Sequence, residues 1–290
     1  MIKTFENTPN KDFIRSLDFG FIRDEFEYHK RKLKYFGLPS EGLYDIITWD
    51  QFIYSFTAVE FGGKLDGPSK QSLLVSRAIQ KGYIAKLTLL RGDINDVIIN
   101  DRDEVGTMVP YPFDIVNLDY GGSVLYPDRK RVAALEVLFN RQKPEDFILF
   151  ITSNVREFDP QELINTQERI LKEIKHFRPN LERSIEKYFQ LVNSKQSVIR
   201  QTIHVQFMIK SLGEQNKYEV KCIPAVLYKG SNETQLIHYI FSLRFQAIAS
   251  TRVISDQSIL NLLSRDAPKE LDEGKLNAIN PVLRLPETEL

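Results

Sequence analysis

Two long strand-like runs, residues 218–228 and 235–245, are separated by only the six residues 229–234. A connection that short cannot hold a crossover, so the two runs must pair as an antiparallel hairpin. Upstream, five short runs rich in β-branched and apolar residues fall at 33–36, 54–59, 86–91, 114–118 and 147–152, with helical patterns between them. Strand–helix repetition of this kind packs as a parallel sheet with right-handed crossovers. The sequence therefore predicts an α/β fold: a Rossmann-like sheet of five parallel strands, closed by a C-terminal antiparallel hairpin and carrying helical additions.

Composition narrows the function classes. The chain has 290 residues, 42% hydrophobic and 27% charged, as in an ordinary globular protein. Lys+Arg and Asp+Glu both total 39, so no overall basic field draws in nucleic acid. The single cysteine, Cys222, excludes an intramolecular disulfide, and no Cys/His cluster has zinc spacing, so no metal is expected. No apolar run approaches the roughly 18 residues of a membrane span, and the start, Met1 to Glu6, is polar. The expectation is a cytoplasmic protein with no membrane partner.

The richest stretch is 113–123. Ile115, Val116, Asn117 and Leu118 make a buried-strand run that stops at Asp119, Tyr120, Gly121 and Gly122. In open α/β sheets the carboxyl ends of the strands border the ligand crevice, so Asp119 and Tyr120 are expected to face it. A strand leading into a polar turn accounts for the same residues. Two other runs end similarly. Glu60 closes the second, where a carboxylate receives ribose hydroxyls in dinucleotide folds. Gly92, Asp93 and Ile94 follow the third, where Asp93 also suits the cap of a helix through Val97 and Ile98. Gly37 and Gly42 bracket a loop after the first run, which reads either as a ligand loop or as a Gly-Pro turn before a helix.

The 113–123 segment resembles the fourth motif of class I S-adenosylmethionine-dependent methyltransferases. The form it is most similar to is the Asp-x-Asp-Pro-aromatic-Gly version of tRNA guanine-N2 methyltransferases. Asn117 stands at the first acid, and Tyr120-Gly121 where Pro-aromatic-Gly is usual. The resemblance implies S-adenosylmethionine as cofactor, with Gly37 and Gly42 beneath its methionine part, Glu60 on the ribose, and Asp93 with Ile94 at the adenine. It also implies a nucleic-acid acceptor, with Asp119 taking a hydrogen bond from an exocyclic amine, Tyr120 stacking on the base and Asn117 adding a second contact. The first loop departs from the family: Lys34 or Tyr35 replaces the acid that ends strand one, and the glycine triplet is missing. A catalytically inactive protein of the same fold, acting as a binding or regulatory partner, accounts for that departure. Its partner would dock on the helical insert 159–215 or on the tail 251–290.

The remaining chain divides as an N-terminal arm over 1–18, a helix from 19 to 32, the α/β domain over 33–250 with the insert, and a tail holding a short helix and then extended chain. A helix after residue 68 is expected to turn Leu73, Leu74, Ala78 and Ile79 inward. His204 and His238 lie in apolar runs and are expected as packed core histidines, and Trp49 as core.

Overall fold

The computed structural model describes residues 8–40, 42–61, 69–124, 130–155, 196–230 and 234–247, together with Glu168, Lys172 and the pair 269–270. The strands are β1 (Leu33–Gly37), β2 (Ile53–Glu60), β3 (Leu87–Arg91), β4 (Ile115–Asp119), β5 (Phe147–Asn154), β6 (Tyr218–Lys229), β7 (Gln235–Phe245) and the short β8 (Lys269–Glu270). They form one sheet in the order β3-β2-β1-β4-β5-β7-β6-β8. The contacts among β1 to β5 are all parallel, β7 runs antiparallel to β5 and β6, and β8 pairs parallel with β6. This is the sheet expected from the sequence, five parallel strands closed by an antiparallel hairpin, with β8 added. Most of the insert, and the tail apart from residues 269–270, lie outside the described residues.

Helices cover both faces. On one side lie α1 (Pro9–His29), α2 (Tyr44–Trp49) and α3 (Lys70–Gln80); on the other lie α4 (Ile94–Asn100), α5 (Lys130–Gln142) and α6 (Gln196–Gln215). Strand side chains alternate between the two cores with period two. Tyr35 and Ile115 join the α1 side, whereas Phe36, Val116 and Leu118 join the α5 side. In α3, Leu74 and Ala78 are buried as expected, but Ile79 is 60% exposed. One step along a helix from Ala78 is a turn of about 100°, which takes Ile79 off the inner face.

The N-terminal arm is the main correction. Residues 9–18 are not irregular; they form the first half of the 21-residue helix α1. Thr8 caps it by accepting from the Lys11 backbone N–H, Pro9 occupies the first turn, and Lys30 ends it in the left-handed region with φ 53°. Its buried stripe carries Ile14, Leu17 and Ile22, but also Asn10, Asp18 and Glu25. Those polar residues break the apolar pattern in the sequence. Each finds a partner on the hairpin instead: Asn10 Nδ2 donates to the Lys229 carbonyl at 3.0 Å, Asp18 meets His238, and Glu25 takes Arg244 in a two-bond fork at 2.8 and 2.6 Å.

At the opposite end of the strands, buried Asp114 accepts both guanidinium nitrogens of Arg31, at 2.8 and 2.7 Å, and the Lys34 backbone N–H at 2.7 Å. That ties the entry of β1 to the entry of β4. At the carboxyl ends the two strands approach more closely still. A Cβ on Gly37 would lie 2.2 Å from the Asn117 carbonyl oxygen. Gly37→Ala is therefore expected to pry β1 from β4 at a cost of about 3 kcal/mol, the upper end of overpacking penalties. Urea unfolding measures this; a loss under about 0.5 kcal/mol would show that the strand ends yield freely.

Candidate functional site

The strand order reverses between β1 and β4, and this switch point is where open α/β sheets bind ligands. Gly37, Asn117 and Asp119 stand there. Asn117 and Asp119, two residues apart, project to the α1 side and line a small cavity of about 40 Å³. Helix α1 supplies Lys11, Ile14, Arg15 and Asp18 to its wall, and α2 supplies Asp45 and Trp49. The floor comes from Thr152 on β5, Tyr228 on β6 and His238 on β7.

Tyr120 is not part of this wall. It is 3% exposed and belongs to the α5-side core, with the Arg131 guanidinium 4.8 Å from its ring centre. Arg131 is held there by a hydrogen bond to the Ser123 carbonyl. The reason is the pleat: residues 119 and 120 leave the strand on opposite faces. The stacking face expected of Tyr120 is thus covered, and burial pushes its hydroxyl well above the ordinary range. Gly121 does border open space, with nothing near a Cβ placed on it.

The cavity walls are an interlocked set of acids and cations. Asp45 accepts from Arg15 Nε at 2.8 Å and from Asn117 Nδ2 at 2.9 Å. Burial nevertheless raises the Asp45 carboxyl to about 6, against the pull of Arg15. Asp18 is raised by burial too, offset in part by His238. Asp119 is raised by burial, with Lys11, His238 and Arg15 drawing it back. Among the described residues Asp119 differs from the other two acids in one respect: no side-chain or backbone donor occupies its carboxylate.

These shifts set a pH dependence. A folded carboxyl raised from 3.8 to about 6 binds its proton more tightly than the unfolded one. Its contribution, roughly 3 kcal/mol, is fully present below about pH 4 and is lost as pH rises through 6. The stability difference between wild type and Asp45→Asn should therefore move in favour of the variant from pH 4 to pH 7. A pH-independent difference in urea melts would show that the Arg15 pairing balances burial.

The other expected ligand residues stand at the neighbouring strand ends. Glu60 closes β2 with its carboxylate turned back on the Phe61 backbone N–H at 3.2 Å, and it is 8% exposed. Asp93 caps α4 through Oδ1, which accepts from Asn95 N at 2.9 Å, Asn95 Nδ2 at 3.0 Å and Asp96 N at 3.3 Å. Burial works against its ionisation, but Asn95, Lys130 and the two backbone donors prevail and hold it below the ordinary carboxylate range. The cap and ligand roles are compatible, because these bonds all fall on one oxygen. Ile94 packs into the core. Gly42 sits where a Cβ would run into the Tyr44 ring at 2.3 Å. A second cavity, about 220 Å³, adjoins Asp93 through Gly92 and Asp96 and reaches Arg102 and Glu104.

Sequence reasoning did not find Arg15, Asp18, Asp45, Thr152 or Tyr228, nor the part His238 plays in the wall. It also passed over Phe61, which follows Glu60 and is 60% exposed. An aromatic directly after a strand-end acid was the available signal, since a large exposed ring beside a crevice suits a stacking surface.

No family model matches the chain, and no curated protein matches it in sequence. Similar solved structures include cofactor-bound Rv0187 from MTB, at 11% identity and TM-score 0.43, covering 83% of each chain. The precorrin-6y C5,15-methyltransferase of Geobacter metallireducens aligns at 12% identity and TM-score 0.40, over 84% of this chain and 93% of that one. The O-methyltransferase TomG of Streptomyces achromogenes, solved in complex with SAM, aligns at 12% identity and TM-score 0.41, over 78% and 79%. No helix among the described residues is long and apolar enough to cross a membrane.

Proposed function

We propose that the protein is an S-adenosylmethionine-dependent methyltransferase whose acceptor reacts beside Asp119. The observation that carries this is the row of acids at the carboxyl ends of β2, β3 and β4 (Glu60, Asp93 and Asp119), with no donor among the described residues on Asp119 at the switch point. The residues present fit the cofactor. Asp93 keeps one oxygen outside its cap bonds for an adenine amine, Glu60 offers a carboxylate to ribose hydroxyls, and exposed Phe61 offers the ring an apolar face. Gly37 closes β1 at the centre of this row, where the loop toward Gly42 would pass beneath the methionine part.

S-adenosylmethionine supplies an activated methyl group on a sulfonium, which an attacking atom takes by in-line displacement. The chain's part is positioning and shaping of charge. Positive charge grows on a neutral attacking atom as the methyl arrives, and the Asp119 carboxylate would stabilise it. Asn117 donates from Nδ2 to Asp45 and orients that wall, and its side-chain oxygen would add the second acceptor contact. The nucleic-acid amine suggested by the resemblance depended on Tyr120 as a stacking face, so the geometry lends it no support.

Thermal melts test the reading. S-adenosylmethionine at a hundredfold over its dissociation constant should stabilise the protein by about 2.7 kcal/mol. Glu60→Ala should abolish that gain while melting cooperatively on its own. An unshifted wild-type melt at millimolar cofactor would overturn the proposal and favour a partner-binding protein on the same fold.

A further inference from the structure

The cavity beside Asp119 holds a chain of polar groups that methyl positioning does not use. His238 is 1% exposed, with its ring stacked on Phe150 at 5.8 Å and 18°. Its Nε2 lies 2.9 Å from Asp18 Oδ1, and its Nδ1 lies 2.9 Å from Thr152 Oγ1. With Asp18 as the carboxylate, the imidazole keeps its proton on Nε2, so Nδ1 accepts from the threonine hydroxyl. Thr152 Oγ1, which also hydrogen-bonds the Tyr228 side chain, keeps a lone pair for the cavity, on the residue paired across the ladder with Asp119.

We infer that Thr152, His238 and Asp18 form a proton relay, and that the acceptor is a small molecule reacting through a hydroxyl oxygen. This rests on the methyltransferase reading. As the oxygen attacks, the O–CH3 bond forms and the C–S bond breaks with its electron pair going to sulfur. The hydroxyl proton passes to Thr152 Oγ1 while the threonine's own proton passes to His238 Nδ1. The positive charge lost by the sulfonium reappears on the imidazole, opposite the Asp18 carboxylate, and solvent removes the proton after product leaves. Thr152 is the catalytic contact; His238 and Asp18 act through it.

The relay favours a hydroxyl over a base amine. An amine can attack with its protons in place and shed one afterwards, so a carboxylate suffices. A hydroxyl gains from losing its proton during attack, and the His238 imidazole stands one hydroxyl away to receive it. The cavity, at about 40 Å³, has room for the hydroxyl-bearing end of an acceptor. The groups facing this relay are Lys11, Arg15 and Asp18 from α1, Asp45 from α2, Asp119 from β4 and Tyr228 from β6.

The test is transfer of tritiated methyl from S-adenosylmethionine to phenol, to catechol and to total RNA, with cofactor affinity measured separately by calorimetry. The expected result is label in a hydroxyl acceptor. Thr152→Val should lower kcat about 100-fold with cofactor affinity unchanged, within the range for one acid–base group. Thr152→Ser should retain most of the rate, and His238→Gln should lower kcat to the extent that Thr152→Val does, again with cofactor affinity unchanged. Label entering only RNA, an undiminished rate in Thr152→Val, or no label in either hydroxyl acceptor despite bound cofactor would each overturn the relay. Failure of the wild type to bind cofactor would instead overturn the methyltransferase reading beneath it.

Discussion

Asp119→Ala is expected to lower methyl transfer by about 10²- to 10³-fold while S-adenosylmethionine still binds, the loss typical of removing one preorganised electrostatic group. The side chain stands at the carboxyl end of the central strand, at the switch point, and no donor among the described residues neutralises it. Its interaction is strongest when charge has developed on the attacking atom, so the loss should appear in kcat and kcat/KM together. Asp119→Asn divides the effect: it keeps an acceptor oxygen and the shape while removing the charge. A rate close to wild type in the asparagine variant would assign the residue to orientation alone. Undiminished transfer in the alanine variant would move the chemistry to another strand end.

The second large effect concerns stability. Glu25→Ala should destabilise the fold by about 3 kcal/mol, because it leaves Arg244 without its forked partner at a half-buried site. The side chain of Glu25 is 4% exposed and that of Arg244 28%, so solvent repays little of the loss. In a chain of this size such a change lowers Tm by roughly 6–12 °C. The double variant Glu25→Ala/Arg244→Ala should cost less than the sum of the single changes. Strict additivity would mean that the fork contributes nothing beyond its separate side chains.

The strands were legible because each is a compact apolar run whose ends are marked by acids, glycines or polar turns. The observed β7 and the forecast run 235–245 coincide, and the six-residue connection forces the hairpin. Asp93 as a helix cap was legible for the same local reason. The first half of α1 was hidden: Asn10, Asp18 and Glu25 interrupt its apolar stripe, and only the hairpin, far along the chain, explains them. The facing of Tyr120 was legible in principle, since strand alternation sets it opposite Asp119. The cavity itself was not legible, because its walls come from α1, α2, β4, β5, β6 and β7, and no local pattern announces which side chains those elements bring together.

The seating of α1 has a consequence for how the protein is made. Its anchors reach partners 219, 220 and 219 residues away, at Lys229, His238 and Arg244. A ribosome releases the helix some 220 residues before its seat, and contacts of such separation close late in folding. Until the hairpin has emerged, the wall beside Asp119 therefore stays unbuilt. The cavity is completed only when the hairpin pairs with β5 and meets the helix. A chain arrested before residue 235 would carry the acids of β2, β3 and β4 on an open ledge.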